Sequence, residues 1–134
     1  LRPLGYRSYH SGKWHVDGTP LGGGFDRSYS LDDHDRHFGP RRHLEDDKPL
    51  PPADPAGGYY SSTAIAEHAV RCLKEHADKY ADRPFFGYVA FTAPHFPLHA
   101  PAEDVARYRD AYAAGWDALR EKRWERLRKG LDFR

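Results

Sequence analysis

Two basic residues near the N-terminus have the types and the spacing of an oxyanion site. Lys13 and His15 are two residues apart, so in an extended segment their side chains point to one side and Trp14 points to the other. A lysine ammonium offers three donors and a fixed charge, and a histidine offers a donor that titrates near neutral pH. Together they could hold the oxygens of a sulfate or phosphate and supply a proton to a leaving group. A solvated turn around a packed tryptophan is the alternative interpretation.

A third candidate, His95, follows a nearly continuous apolar run at residues 85–91 and lies between Pro94 and Pro97. Ligands of open α/β sheets bind beyond the carboxyl ends of the strands, which is where His95 falls if the run is a strand. The two prolines restrict the loop, so the ring could be held there at little extra entropic cost. His99 follows, but Pro97 argues against the helical geometry of a paired metal site. The alternative interpretation of His95 is a surface loop histidine.

An acidic segment contains the residue types of a metal site. Its candidate ligands are Asp32, Asp33, His34, Asp35 and His37. Carboxylates suit calcium, and a mixture of histidine and aspartate suits zinc. The segment has neither the spacing of an EF-hand nor a His-Glu-x-x-His motif, so a solvated acidic loop is the favoured interpretation. Asp46 and Asp47 are interpreted in the same way.

Composition excludes several classes of protein. The single cysteine, Cys72, rules out an internal disulfide framework and a multi-cysteine zinc site, and it is interpreted as a buried structural thiol. No run has the roughly 18 apolar residues of a membrane span, and no signal peptide is visible. The net charge of +1 gives no basic field for nucleic acid. Nine histidines predict a net charge that depends steeply on pH between about 5 and 8.

The elements that must position these residues are predicted from hydrophobic periodicity. Residues 59–80 carry apolar side chains at three- and four-residue spacing, which predicts a helix capped by Ser61 or Ser62. The run 85–91 after it predicts a central strand covered on both faces. The remaining predictions are a short strand at 6–9, an irregular stretch at 25–58, helices at 101–109 and 113–130, and packing roles for Tyr112, Trp116 and Trp124. A helix followed by a central strand is the unit of an α/β sheet.

The size and the start of the chain also bear on its organisation. Its 134 residues suit one domain, but the mean hydropathy of −0.89 and the hydrophobic fraction of 39% indicate a thin core. Fewer strands are visible than a doubly wound sheet needs, and the chain starts with Leu1 and contains no methionine. We therefore expect residues 1–134 to be a single partial domain that is truncated at both ends.

Three segments, taken in order, resemble the sulfatase family, and bacterial arylsulfatases in particular. They are GKWH at 12–15 with GFD at 24–26, PFFGYVAFTAPHFPLHAP at 84–101, and GWDALR at 115–120. The resemblance implies an alkaline-phosphatase-like α/β/α sandwich, of which this chain would be the middle portion. It also implies hydrolysis of a small-molecule or carbohydrate sulfate ester. The nucleophile would be a formylglycine made from Cys or Ser, beside a divalent cation that is usually calcium.

The resemblance also implies roles for three residues. Lys13 would bind the sulfate and stabilise developing charge, and His15 would interact with the formylglycine hydrate. His95 would contact the sulfate and could protonate the leaving oxygen. The nucleophile motif, Cys or Ser followed by x-Pro-x-Arg, is absent, and Cys72 lacks that context. The nucleophile and the metal ligands are therefore expected outside this chain, and we expect the isolated chain to be inactive.

Two alternatives stay open at this point. One is a phosphodiesterase or phosphonate hydrolase of the same superfamily, and the other is a non-catalytic remnant. By family habit the protein would be periplasmic, secreted or lysosomal. No nucleic-acid partner and no membrane span are expected.

Overall fold

The computed structural model describes residues 1–33 and 35–130, and the chain divides into two compact units, Leu1–His99 and Ala100–Arg134. The first unit holds five strands and one long helix: β1 (Arg7–Gly12), β2 (Arg27–Leu31), β3 (His43–Glu45), β4 (Lys48–Pro49), α1 (Ser61–Lys79) and β5 (Phe85–Ala90). Short 3-10 turns lie at Arg2–Leu4 and Pro55–Gly57. The second unit holds α2 (Ala102–Tyr108) and α3 (Gly115–Gly130).

The sheet brings three loops to one edge. Its strand order is β4-β3-β2-β1-β5, and β1 pairs in parallel with both β2 and β5. In this register Gly12 lies opposite Ala90 on one side and Ser30 on the other. Since parallel strands end on the same side, the loops after β1, β2 and β5 meet at the carboxyl edge. The predicted α/β class is confirmed, with α1 packed against β1 and β5.

The helix–sheet interface is small and rich in hydrogen bonds. Ile65 of α1 packs with Tyr29 and Leu31 in the buried hydrophobic cluster. On either side of this cluster, polar side chains of α1 face the sheet. One of them is His68, whose Nδ1 lies 2.6 Å from Ser11 Oγ. His76 Nε2 donates to the carbonyl of Arg83 at 3.0 Å, so its Nδ1 accepts from the hydroxyl of Tyr9 at 2.8 Å. The buried stripe of the helix is Ser61, Ile65, His68, Cys72 and His76.

The predicted cap of α1 is wrong in detail. Ser61 is the first helical residue rather than the cap, and the cap residue Tyr60 makes no side-chain capping bond. The N–H of Ser61 donates to the carbonyl of His37 at 2.8 Å, so the loop before the helix satisfies that terminal amide. The hydroxyl of Ser61 lies 3.2 Å from His37 Nδ1, so it bonds to the side chain of His37 instead of capping the helix.

The stretch 25–58, predicted to be irregular, contains β2 and the antiparallel β3–β4 hairpin. The apolar pattern of a strand is absent from β2, because several of its buried residues are polar, such as Ser28. Hydrogen bonds compensate the burial of these residues. Asp46 and Asp47 form the hairpin turn with φ values of 49° and 61°, a conformation that aspartate tolerates. The carboxylate of Asp46 accepts from the N–H of Ser28 at 2.9 Å. The interpretation of this pair as a solvated acidic segment is replaced by a structural role in the turn.

The prediction that β5 is a central strand with both faces covered is wrong for the part of the chain that the structure describes. β5 forms the edge of the sheet next to β1, and its four large apolar side chains are 43–49% exposed: Phe85, Phe86, Tyr88 and Val89. The physical reason is that an apolar run specifies a strand that can bury both faces, without specifying which segment covers it. Within the first unit, only one side of β5 has a neighbouring strand.

In the second unit, the helices agree with the prediction and the packing roles do not. Both helices form where expected, but Tyr112, Trp116 and Trp124 are 63%, 90% and 57% exposed, so they are not packing residues in this structure. All residues of α3 are exposed except Leu119, because its side chains find few partners within that unit. None of the helices in 1–33 and 35–130 combines the length and the apolar character of a membrane span.

Burial of histidine predicts a loss of stability in acid. Burial lowers the pKa of His68 to about 4, whereas a histidine of the unfolded chain titrates near about 6.5. Between these values the unfolded chain binds the proton and the folded chain does not, so stability is full above about pH 6.5 and falls towards pH 4. The expected loss from this residue is roughly 3 kcal/mol by pH 4. Urea unfolding at pH 7, 5.5 and 4 measures it.

The matched variant is His68→Gln, which keeps a polar side chain near Ser11 and removes the titrating group. Its free energy of unfolding should depend less steeply on pH between about 6.5 and 4. An unchanged slope in the variant would contradict the assignment of the acid lability to His68.

Candidate functional site

The backbone holds Lys13 at the carboxyl edge of the sheet, directly after β1. Its N–H donates to the carbonyl of Ala90 at the end of β5, at 2.9 Å. The loop that leaves β5 carries His95, whose N–H donates to the carbonyl of Thr92 at 2.9 Å. Lys13 and His95 therefore follow adjacent parallel strands at one edge of the sheet. This edge is where open α/β sheets bind ligands.

Gly12 makes the approach of β1 to β5 possible. Its φ of +119° lies in the region that favours glycine, and a Cβ at this position would collide with the backbone carbonyl of Ala90. That carbonyl is the one that accepts from the N–H of Lys13. A residue without a side chain is therefore needed at the glycine of the GKWH segment, and this close approach brings the following lysine against the end of β5.

In the loop after Gly12, the side chain of Trp14 is packed and that of His15 is exposed. Trp14 is half-buried, its ring packs at 5.3 Å from that of His10 and 5.8 Å from that of Phe25, and its Nε1–H donates to the carbonyl of Gly18 at 3.1 Å. Lys13 is half-buried and His15 is exposed. The loop thus anchors the tryptophan and leaves the imidazole of His15 towards solvent.

The loop after β5 is fixed at its base by buried hydroxyl groups. Thr92 is 3% exposed, and its Oγ1 lies 3.5 Å from both Ser61 Oγ and His37 Nδ1. Further along, His95 is exposed and its Nδ1 donates to the carbonyl of Phe96 at 2.6 Å. The base of the loop is therefore tied to the start of α1, and the histidine ring is oriented by its own loop.

Asp33, which was interpreted as part of a solvated loop, is a buried structural acceptor. Its carboxylate accepts from the N–H groups of Arg41 and Arg42 at 2.8 and 3.2 Å, and from Arg42 Nε at 3.0 Å. Burial raises the pKa of Asp33, but these hydrogen bonds and the Arg42 charge outweigh it, so the pKa is lowered overall. Asp32 and Asp35 are exposed, as the interpretation expected.

The described members of that acidic segment do not form a metal centre with Asp33. His37 is 1% exposed and contacts Ser61, while His34 lies outside the described residues. Within 1–33 and 35–130, no three side chains of His, Cys, Asp or Glu converge on a point where a metal ion could bind.

Cys72 is buried at 2% exposure, in agreement with its interpretation as a structural thiol. Burial raises the pKa of this thiol to about 11, which suppresses the thiolate that nucleophilic chemistry needs. The sequence did not reveal that Sγ lies 3.6 Å from Nε2 of His68, one helical turn before it. The i,i+4 spacing on α1 is the signal that could have found this contact.

Five of the nine histidines are buried within the part of the chain that the structure describes. These five are His10, His37, His43, His68 and His76. Burial lowers the pKa of His10 and lowers that of His68 to about 4, so both stay neutral near pH 7. These two histidines therefore add less to the predicted pH dependence of the net charge, and the side chains of His15 and His95 are on the surface.

A comparison with protein families decides the membership of the chain. The family model described as Sulfatase matches residues 1–130. This chain belongs to the sulfatase family. Sulfatases of three organisms are similar to it: an uncharacterized sulfatase of Schizosaccharomyces pombe, 33% identical over 92% of this chain, an arylsulfatase of Klebsiella aerogenes, 29% identical over 96%, and an ulvan-active sulfatase of Formosa agariphila, 35% identical over 81%. The chain spans 25%, 30% and 21% of the length of these sulfatases, respectively.

Solved structures support the fold of this sulfatase chain. Ps i-CgsB in complex with k-i-k-neocarrahexaose aligns with a TM-score of 0.63 at 24% identity, over 80% of this chain and 28% of that one. BT4656, solved in complex with its substrate D-glucosamine-2-N,6-O-disulfate, aligns with a TM-score of 0.64 at 21% identity, over 81% of this chain and 20% of that one. The predicted alkaline-phosphatase-like α/β fold is confirmed, and the chain covers only part of it.

Proposed function

We propose that this chain supplies the sulfate-binding edge of a sulfatase that hydrolyses sulfate monoesters, with Lys13, His15 and His95 as its site residues. The observation that carries the proposal is the placement of Lys13 and His95 after adjacent parallel strands, in a chain of the sulfatase family. Cationic and proton-donating groups at one sheet edge suit a tetrahedral anion, because they can hold several of its oxygens together.

Each residue has a task in this proposal that its chemistry supports. The Lys13 side chain offers three N–H donors, with which it binds the sulfate and stabilises the negative charge that develops during cleavage. Cleavage leaves an oxyanion on the alcohol or phenol. His95, whose Nδ1–H is held by the carbonyl of Phe96, would give it a proton from Nε2 of the doubly protonated ring. His15, two residues from Lys13, lies on the exposed side of the same loop and is assigned to the side of the nucleophile.

Two parts of the proposed site do not fit the residues of this chain. The described residues assemble no group of three metal ligands, and the sequence contains no Cys or Ser in an x-Pro-x-Arg context. We assign both the divalent cation, usually calcium in the family, and the formylglycine to other parts of the protein, and we derive no step through either. Residues 1–134 are accordingly proposed as a single partial domain, the middle portion of the catalytic domain.

The proposed substrates are small-molecule or carbohydrate sulfate esters. The names of two similar proteins favour carbohydrates: the ulvan-active sulfatase, and BT4656 with its disulfated glucosamine substrate. We propose a periplasmic, secreted or lysosomal location, since a sulfated polysaccharide is an extracellular or lysosomal substrate. A phosphodiesterase or phosphonate hydrolase activity is the second candidate, because the same cations would also hold a phosphoryl oxygen.

The test compares two proteins on two esters. The pure 134-residue chain and the longer reading frame that contains it are assayed with 4-nitrophenyl sulfate and with bis(4-nitrophenyl) phosphate. We expect no turnover by the chain alone and a preference of the longer protein for the sulfate. A preference for the phosphate diester would favour the second candidate, and no turnover of either ester would favour a non-catalytic remnant. Turnover by the chain alone would overturn the assignment of the nucleophile to another segment.

A further inference from the structure

His10 is a buried residue that the proposed chemistry does not use, and it lies directly beneath Lys13. It is part of β1, where its register partners are Ser28 of β2 and Tyr88 of β5, so it sits between two parallel neighbours. Its exposure is 0%. A polar side chain buried so completely needs a hydrogen-bond partner, because its desolvation is otherwise uncompensated.

The partner of His10 is the backbone of the candidate site. Nε2 of His10 lies 3.3 Å from the carbonyl oxygen of Lys13. A carbonyl can only accept, so the ring carries its proton on Nε2 and donates it to Lys13. Burial lowers the pKa of His10, which keeps the ring neutral and leaves Nδ1 without a proton. Nδ1 is buried and has no hydrogen-bond partner among residues 1–33 and 35–130, so within these residues Nε2 is the nitrogen of this ring that bonds to protein.

The ring of His10 is also held rigidly in place. Three aromatic rings pack against it, with centroids at 5.3 Å for Trp14, 5.7 Å for Phe25 and 5.6 Å for Tyr88. Two of these rings are nearly perpendicular to it, at 77° and 64°. Such a cage fixes the orientation of the imidazole, and with it the direction in which Nε2 donates.

Both backbone groups of Lys13 are therefore tied to the sheet. Its N–H donates to the carbonyl of Ala90 at 2.9 Å, and its carbonyl accepts from His10 at 3.3 Å. These two bonds fix the peptide planes on either side of the Lys13 Cα, and hence the direction in which its side chain leaves the backbone. A loop residue that depended only on its own dihedral preferences would lack this constraint.

We propose that His10 is the positioning residue for Lys13, which orients the lysine for sulfate through a hydrogen bond to the lysine's own carbonyl. The inference rests on the proposed function of Lys13. His10 touches no substrate in this account, and it acts only through the backbone of the loop that it supports.

Two substitutions at His10 separate its hydrogen bond from its packing. His10→Phe keeps an aromatic ring in the cage and removes the donor, whereas His10→Gln keeps an N–H near the position of Nε2. In the longer sulfatase, His10→Phe should raise the inhibition constant of inorganic sulfate at least about fivefold and lower kcat/KM, while His10→Gln should recover sulfate binding to within about threefold of the wild type.

The matched control is His76→Phe. It removes a buried histidine that donates to a backbone carbonyl in the same way, on the α1 face of the sheet rather than beneath Lys13. This variant should lose stability without changing sulfate inhibition. Equal effects of the two phenylalanine variants on sulfate inhibition, at matched loss of thermal midpoint, would show that His10 is only a packing residue.

Lys13→Ala in the same assay distinguishes the two ways in which the inference can fail. If Lys13→Ala leaves sulfate inhibition unchanged, the proposed function of Lys13 is wrong and the positioning role falls with it. If Lys13→Ala weakens sulfate inhibition but His10→Phe does not, the site stands and the role of His10 is overturned. The inference is supported when both weaken it and His10→Gln recovers it.

Discussion

Replacing Lys13 with alanine is expected to lower kcat/KM for an aryl sulfate by about 10²–10³-fold in the sulfatase that contains this chain. The reason is electrostatic, because the proposed site places the lysine ammonium beside the sulfate, where negative charge would develop as the ester bond breaks. Its backbone is already held by the ends of β1 and β5, so no reorganisation is needed when the charge appears. Steady-state kinetics on 4-nitrophenyl sulfate measure the effect.

Two further variants sharpen this prediction. Lys13→Arg keeps the charge but spreads it over a planar guanidinium, so it should recover only part of the lost rate. Lys74→Ala removes an exposed lysine from α1 and should leave kcat/KM within about twofold of the wild type. If Lys13→Ala loses no more activity than Lys74→Ala, the lysine has no part in catalysis.

Replacing Gly12 with alanine is expected to destabilise the fold by at least about 2 kcal/mol. Two causes act together. The φ of +119° is strained for any residue with a side chain, and the added methyl would collide with the carbonyl of Ala90. Relief of the collision requires β1 and β5 to separate, which also breaks the bond from the Lys13 N–H. Urea unfolding of the wild type and the variant at pH 7 gives the difference.

Gly87→Ala is the matched control, since Gly87 lies on β5 with no atom within 4 Å of an added Cβ and its φ is outside the strained range. Its stability should change by less than about 0.5 kcal/mol, because alanine fits the strand without a clash. A small effect of both substitutions would mean that β1 and β5 do not approach each other as closely as described.

The parts of the fold that could be predicted are those in which apolar side chains carry the pattern. The helix at 61–79 has a buried stripe with the period of a helix, and the strand at 85–90 is a nearly continuous apolar run of strand length. Their order placed His95 beyond the carboxyl end of a strand, and the structure confirms that position. Lys13 and His15 of the GKWH segment are site candidates by their chemistry and their spacing alone, and their roles stay a prediction.

The parts that could not be predicted are those in which polar residues are buried. Periodicity treats histidine and serine as surface residues, yet His68 and His76 form the inner stripe of α1 because Ser11 and Tyr9 meet them across the interface. Such pairs are far apart in the chain, so no local pattern reveals them. The contact of His10 is local, but its partner is the backbone carbonyl of Lys13, which a pattern of side-chain types does not reveal.

The measurement that tests the central claim most directly is the rate of three single variants, Lys13→Ala, His15→Ala and His95→Ala, with 4-nitrophenyl sulfate, in the longer protein that we propose contains this chain. The claim that these residues form one sulfate site predicts a loss of kcat/KM of at least about tenfold for each, with the folded state retained. Wild-type rates in all three variants would contradict it, because the carboxyl edge of this sheet would then take no part in hydrolysis.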